Sequence, residues 1–210
     1  MTMPGDATFG TPVRALLFDL GGVLIDYSGI EDLAAILPQP LSHAEVRARL
    51  SACPHTQAFG VGRLRPDDYS THFVRDWRID LDPATFLEGF RASVRGWLPG
   101  AVELLTMLRP RYRLAALSNT NDVHWERVTG ELGGRELFDV ALSSHEIGIA
   151  KPDPRVFRAA LDRLAMPAEA VAFFDDAQSN VAAAAEVGMR AFRVEGVTGV
   201  MQALTRENLI

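Results

Sequence analysis

The chain is poor in cysteine: Cys53 stands alone among 210 residues. A single thiol excludes an internal disulfide and any cysteine-rich zinc site, and Cys53 reads as a structural residue. Long apolar runs are also missing, and no stretch approaches the ~18 residues that a membrane span needs. The first thirteen residues hold neither Lys nor Arg nor the apolar segment of an export signal. A basic surplus is absent as well. Lys and Arg total 21 against 27 Asp and Glu, for a net charge of -6 and a pI near 5.4, which argues against a nucleic-acid partner or a membrane surface. Neither internal repeats nor low-complexity tracts are evident. These absences predict a soluble, cytoplasmic protein with an N-terminus that frays. A small anionic substrate stays compatible, because a local site can oppose the global sign.

What is present is an alternation. Apolar runs near 13–18, 113–118, 138–142, 170–174 and 190–194 have the length and flanks of buried strands, and helical patterns separate most of them. Ala101, Leu104, Leu105 and Leu108 fall on one helical face that Pro110 closes. Asp153 and Pro154 are placed to start a helix that buries Val156, Phe157, Ala160, Leu161 and Leu164. A further helix near 178–187 ends at Gly188. Strand alternating with helix predicts an α/β fold: a doubly wound, Rossmann-like parallel sheet. Residues from about 27 to 98 break the rhythm. Tyr69, Phe73 and Trp77 recur every four residues, as do Phe86, Phe90 and Val94, and no comparable strand run occurs there. The expected organisation is a core of 1–26 and 99–210 with a small α-helical insertion over 27–98, Asp26 lying at the hinge.

Chemistry-bearing residues sit where the apolar runs end. Asp19 follows the first run and is succeeded by Leu20-Gly21-Gly22-Val23. Ser118-Asn119 ends the second, the loop Gly148-Ile149-Ala150-Lys151-Pro152 follows the third, and Asp175-Asp176 ends the fourth, with Asn180 just beyond. Taken singly, each has a plain structural use: a strand terminus, a solvated loop or a helix cap. In an open parallel sheet, however, ligands collect beyond the carboxyl ends of the strands, so residues far apart in sequence can converge there.

In order and spacing this four-part set resembles the haloacid dehalogenase-like hydrolase superfamily. The Asp-Leu-Gly-Gly-Val first motif is similar to that of a phosphatase branch containing bacterial sugar-1-phosphate phosphatases. The resemblance implies a magnesium-dependent hydrolase of a small phosphorylated metabolite, a sugar phosphate among the options, working through an aspartyl-phosphate, with the insertion as a substrate-selecting cap. Asp19 would be nucleophile and Mg2+ ligand, and the Gly21 carbonyl a second ligand. Asp176 would ligate directly, with Asp175 ligating or orienting a metal-bound water and Asn180 supporting that shell. Such an all-oxygen set suits magnesium. Ser118 would bind a phosphoryl oxygen together with backbone at Leu20, Gly21 and Asn119, and Lys151 would balance the charge of phosphate and Asp19.

The pattern departs from the family at one position. Many of its phosphatases carry a second aspartate two residues after the nucleophile as general acid and base, where this chain has Gly21. Loss of such a group typically lowers the rate ~10²–10⁴-fold. His124, in the loop after Ser118-Asn119, is a candidate proton donor or substrate contact, with His55 and His72 as weaker candidates and metal-bound water as another source. Two other readings remain. One is a dehalogenase-type hydrolase, which shares the aspartate but needs no metal. The other is a catalytically silent protein that binds a phosphate ligand.

Overall fold

A computed structural model describes residues 11–210; the N-terminal fraying expected from sequence falls largely on residues outside them. The chain enters through β1 (Ala15–Phe18) and turns sharply, the Leu20 carbonyl accepting from the amides of Leu24 and Ile25 at 2.9 and 2.8 Å, to reach β2 (Ile25–Tyr27). Five helices follow: α1 (Gly29–Ile36), α2 (His43–Ala52), α3 (Pro54–Gly60), α4 (Pro66–Trp77) and α5 (Pro83–Ala92). β3 (Val94–Trp97) then returns antiparallel beside β2. Beyond it come α6 (Ala101–Leu108), β4 (Arg113–Ser118), α7 (Asp122–Glu126), a π-helical turn at Arg127–Glu131, α8 (Gly134–Leu137), β5 (Val140–Ser143) and α9 (Ser144–Ile147). The chain continues through α10 (Pro154–Leu164), β6 (Val171–Asp175), α11 (Gln178–Glu186), β7 (Arg190–Arg193) and α12 (Gly196–Arg206). None of the helices among the described residues is long and apolar enough to cross a membrane.

Five strands form one parallel sheet in the order β5-β4-β1-β6-β7, so β1 runs through its middle. The period-2 alternation of a strand then divides its side chains between two covered faces. Leu16 and Phe18 pack with Leu104 and Leu105 of α6 and Leu204 of α12, while Ala15 and Leu17 pack with Val156 and Phe157 of α10 and Ala184 of α11. Covering both faces is what makes the strand runs continuously apolar in sequence. Each fully buried Leu or Phe here is worth about 1.5–3 kcal/mol relative to exposure. The helix signals act where they were expected. The Asp153 side chain accepts the Arg155 amide at 2.9 Å to cap α10, and Gly188 takes a left-handed φ of 95° just past α11.

The helical segment differs from the sequence expectation at its end. Phe86 and Phe90 belong to α5, but that helix stops at Ala92 and Val94 lies in a strand. Ile25 of β2 pairs with Trp97 and Tyr27 with Val94, so the segment is entered and left through a two-stranded ribbon. The fourfold spacing of Phe86, Phe90 and Val94 runs across this change, and Val94 packs in the main core with Leu20 and Leu24 rather than with the helical segment. Between the two strands, α1–α5 pack around an aromatic centre of their own: the Phe73 ring lies 4.8 Å from Trp77 and 5.0 Å from Phe86.

Candidate active site

Backbone pairing places the first carboxylate. The Asp19 amide donates to the Phe174 carbonyl at 2.8 Å, extending the ladder one residue past β1 and fixing the side chain at the carboxyl edge of the sheet. Lys151 arrives from the loop between α9 and α10, its side chain only 1% exposed. Its Nζ donates to Asp19 Oδ1 at 2.7 Å, Asp175 Oδ2 at 2.7 Å and the Leu117 carbonyl at 2.8 Å. All three ammonium donors are thereby satisfied. The backbone of this loop is held by the Asn119 side chain, whose Oδ1 accepts the Lys151 amide and whose Nδ2 donates to the Lys151 carbonyl, each at 2.8 Å.

Asp175 lies buried beneath that ammonium. Asn180 Nδ2 donates to its two oxygens at 2.9 and 3.1 Å, and the Ala177 amide donates to Oδ1 at 2.9 Å. Asp176, one residue on, turns outward and is exposed. One oxygen from each of Asp19, Asp175 and Asp176 lies within 4.8 Å of the others. Gly22 makes the close approach possible. Its φ is +74°, and a Cβ there would stand 3.3 Å from Asp176 Oδ2.

Three carboxylates against one ammonium leave excess negative charge. Burial, with the Asp175 charge added and Lys151 opposing, raises the Asp19 carboxyl from 3.8 to about 6. Burial and then Asp175 also push Asp176 up. At Lys151, burial pulls the ammonium down, but Asp19 and Asp175 outweigh it and hold the group above its ordinary value. An oxygen-only set with uncompensated charge fits a hard divalent cation.

A cavity of about 990 Å³ opens on this cluster. Asp19, Leu20, Gly21, Ser118, Asn119, Lys151, Asp176 and Asn180 line its floor, so those expected site residues are brought together; Asp175 sits behind them. His124 lines the same cavity from α7, yet both ring nitrogens are engaged. Nε2 lies 2.7 Å from the Phe90 carbonyl and Nδ1 3.3 Å from Asn121 Nδ2, a pattern that assigns the neutral Nε2–H tautomer. Burial lowers the ring to about 4. The ring therefore has no proton free for the reaction near neutrality, and its surroundings give the expected donor role no support. His55 and His72 stack on each other at 4.4 Å between α3 and α4, outside the lining of this cavity, and Asp26 is exposed on the β2–β3 ribbon.

Two features went unread in the sequence. Lys151 is the sole lysine among the 21 basic residues, a signal available from composition alone. The Asn119 side chain was expected to leave recognition to its amide, and its grip on the Lys151 backbone could not be seen without the fold.

Residues 13–188 match the family model of haloacid dehalogenase-like hydrolases. The chain belongs to this family. Among haloacid dehalogenase-like relatives, a Mycobacterium tuberculosis protein named Phosphatase MT3486 is 29% identical over 87% of this chain and 88% of its own length. A Thermotoga maritima "Phosphorylated carbohydrates phosphatase" is 30% identical over 91% of this chain and 87% of its own. Other curated relatives are longer, and the chain spans only 36%, 52% and 18% of three of them. Among solved structures, a haloacid dehalogenase-like enzyme from Bacteroides thetaiotaomicron in complex with magnesium and inorganic phosphate matches with a TM-score of 0.73. It is 23% identical, over 87% of this chain and 94% of that one, a likeness of fold.

Proposed function

We propose that this hydrolase is a magnesium-dependent phosphomonoesterase acting on a small phosphorylated metabolite through a phospho-Asp19 intermediate. The observation that carries the reading is the clustering of Asp19, Asp175 and Asp176 at the open edge of the sheet, the first two bridged by a single buried ammonium. The phosphatase names of the mycobacterial and Thermotoga relatives support it, as does the magnesium and phosphate held by the Bacteroides neighbour.

In the first step Asp19 attacks phosphorus as the ester P–O bond breaks, and the departing alkoxide takes a proton from water. In the second, water attacks phosphorus, the bond to Asp19 breaks and the carboxylate is restored. Magnesium, held by Asp19, the Gly21 carbonyl and Asp176, would lessen the repulsion between two anionic reactants. Lys151 keeps Asp19 ionised and aimed, while Ser118 and the backbone of Leu20, Gly21 and Asn119 receive the phosphoryl oxygens. Asp175, pinned by Lys151 and Asn180, orients rather than reacts. Residues 27–98 act as a cap over this floor, with the β2–β3 ribbon as its hinge, and the lone thiol suits a cytoplasmic setting.

A dehalogenase-type reaction fits less well, because Asp176 facing the cavity would repel a carboxylate substrate. A silent phosphate binder would bind phosphate esters without turnover. Phosphate release from an ester panel, with magnesium and with excess chelator, separates the three. Metal-dependent release lost in Asp19→Asn is the expected result, and full activity in chelator or none at all overturns it.

A further inference from the structure

The cavity that begins at Asp19 extends well beyond the space a phosphate needs. Its volume of about 990 Å³ lies at the upper end of the ~300–1,000 Å³ typical of sites for drug-sized ligands. Away from the carboxylates its wall is built by the helical segment, with Tyr27, Ile30, Leu33, Ile36, Leu50 and Phe90 among the lining residues. The charged groups on that wall are few and partly occupied. Asp32 accepts from Ser28 Oγ at 2.6 Å and lies 3.3 Å from Arg95, and Glu31 lies 3.8 Å from His43. Arg47 lines the same cavity and has no ion pair among the described residues, so its charge is free to draw an anionic phosphate inward.

We propose, on the basis of the phosphatase reading, that the alcohol carried on the phosphate is an apolar body, an aryl or extended alkyl group, rather than a polyhydroxylated sugar. The neutral polar groups of the wall, Ser51, Thr56, Gln57 and Thr85, are a minority among its apolar side chains, so most sugar hydroxyls set against Ile30, Leu33 and Leu50 would give up water without gaining partners. A hydrocarbon there gains from every methylene it buries, roughly fourfold in affinity for each. The two ends of the cavity thus select two halves of one molecule: the floor takes phosphate, and the helical wall takes what the phosphate is attached to.

The test is a homologous series. With the full chain and magnesium, kcat/KM is measured for n-alkyl phosphates from ethyl to octyl, for 1-naphthyl phosphate, and for glucose 1-phosphate. The expected outcome is a rise of roughly fourfold per methylene until the cavity is filled, with octyl and naphthyl phosphate both above glucose 1-phosphate. Ile36→Asn, at a position 39% exposed, and Leu50→Asn should each lower the octyl-to-ethyl ratio severalfold. That ratio is unaffected by the fraction of a variant that folds. A flat or falling series, a ratio unmoved in both variants, or glucose 1-phosphate above octyl phosphate overturns the apolar assignment while leaving a phosphatase in place. Failure of every ester to release phosphate under magnesium overturns the phosphatase reading, and this proposal with it.

Discussion

Asp19→Asn should make the metal-free protein more stable while removing its activity. The Asp19 carboxyl rises from 3.8 to about 6 on folding because burial and Asp175 outweigh the help of Lys151. A carboxyl whose folded value is raised contributes stability that is full below pH 3.8 and is lost as pH climbs through about 6. Above that, holding Asp19 ionised costs about 3 kcal/mol, taking 1.36 kcal/mol for each tenfold change. Asparagine keeps the volume and an oxygen that can accept from Lys151, but never ionises. At about 2–4 °C per kcal/mol for a chain of this size, the variant should melt roughly 6–12 °C above wild type at pH 8 in chelator. The opposing help of Lys151 is already contained in the folded value of about 6, and a gain of about 5 °C is the threshold. The assay is a set of thermal melts from pH 4.5 to 8.5, with phosphate release measured on the same samples. The stability gap should open between pH 4 and 6 and shrink in saturating magnesium. A variant less stable than wild type at pH 8, or a gap independent of pH, would refute the electrostatic account. Near-normal turnover in a folded variant would refute the nucleophile.

Magnesium should raise the melting temperature of wild type by linkage, about 2.7 kcal/mol at a hundredfold excess over Kd. Its affinity should fall as pH drops below about 6, where Asp19 takes up a proton; titration calorimetry across pH would detect a flat profile, which would exclude Asp19 as a ligand. Lys151→Met should strand two buried carboxylates and cost about 3–5 kcal/mol in denaturant melts at pH 8, and adding Asp19→Asn should recover part of the loss. Additive effects would show that the two residues are not coupled. Gly21→Asp has room, since a Cβ there meets nothing within 4 Å. By supplying an acid it should raise the rate on poor leaving groups up to ~10²–10⁴-fold, narrowing the preference for phenyl over benzyl phosphate; an unchanged preference would show that proton donation is not limiting.

The sheet was legible in the sequence because strands covered on both faces must be apolar throughout, so Ala15–Phe18 and Val171–Phe174 declare themselves residue by residue. The site floor was legible for a related reason: polar groups ending such runs have only the open edge to occupy. The β2–β3 ribbon was not, because the three residues Ile-Asp-Tyr are too short a run for their alternation to stand out, and its partner Val94 continued a helical spacing by coincidence. The bonding of His124 was not legible either, because a histidine near neutrality reads the same in sequence whether its nitrogens are free or bonded to Phe90 and Asn121; its place in the cavity lining still suits a substrate contact. The apolar wall was invisible for a deeper reason. Ile30, Leu33 and Leu50 look like core residues, and only their placement separates those that face one another from those that face a void.

The arrangement around Lys151 also turns the protein into its own reporter. A chain whose other cations are guanidinium groups carries one ε-amine, and that amine lies behind two carboxylates in the floor of the site. An acylating reagent added to the native protein should spare that ε-amine and reach it only in those moments when the cluster comes apart. The yield of a single labelled peptide would then follow the breathing of the reaction centre in real time, without a probe having been engineered anywhere in the molecule.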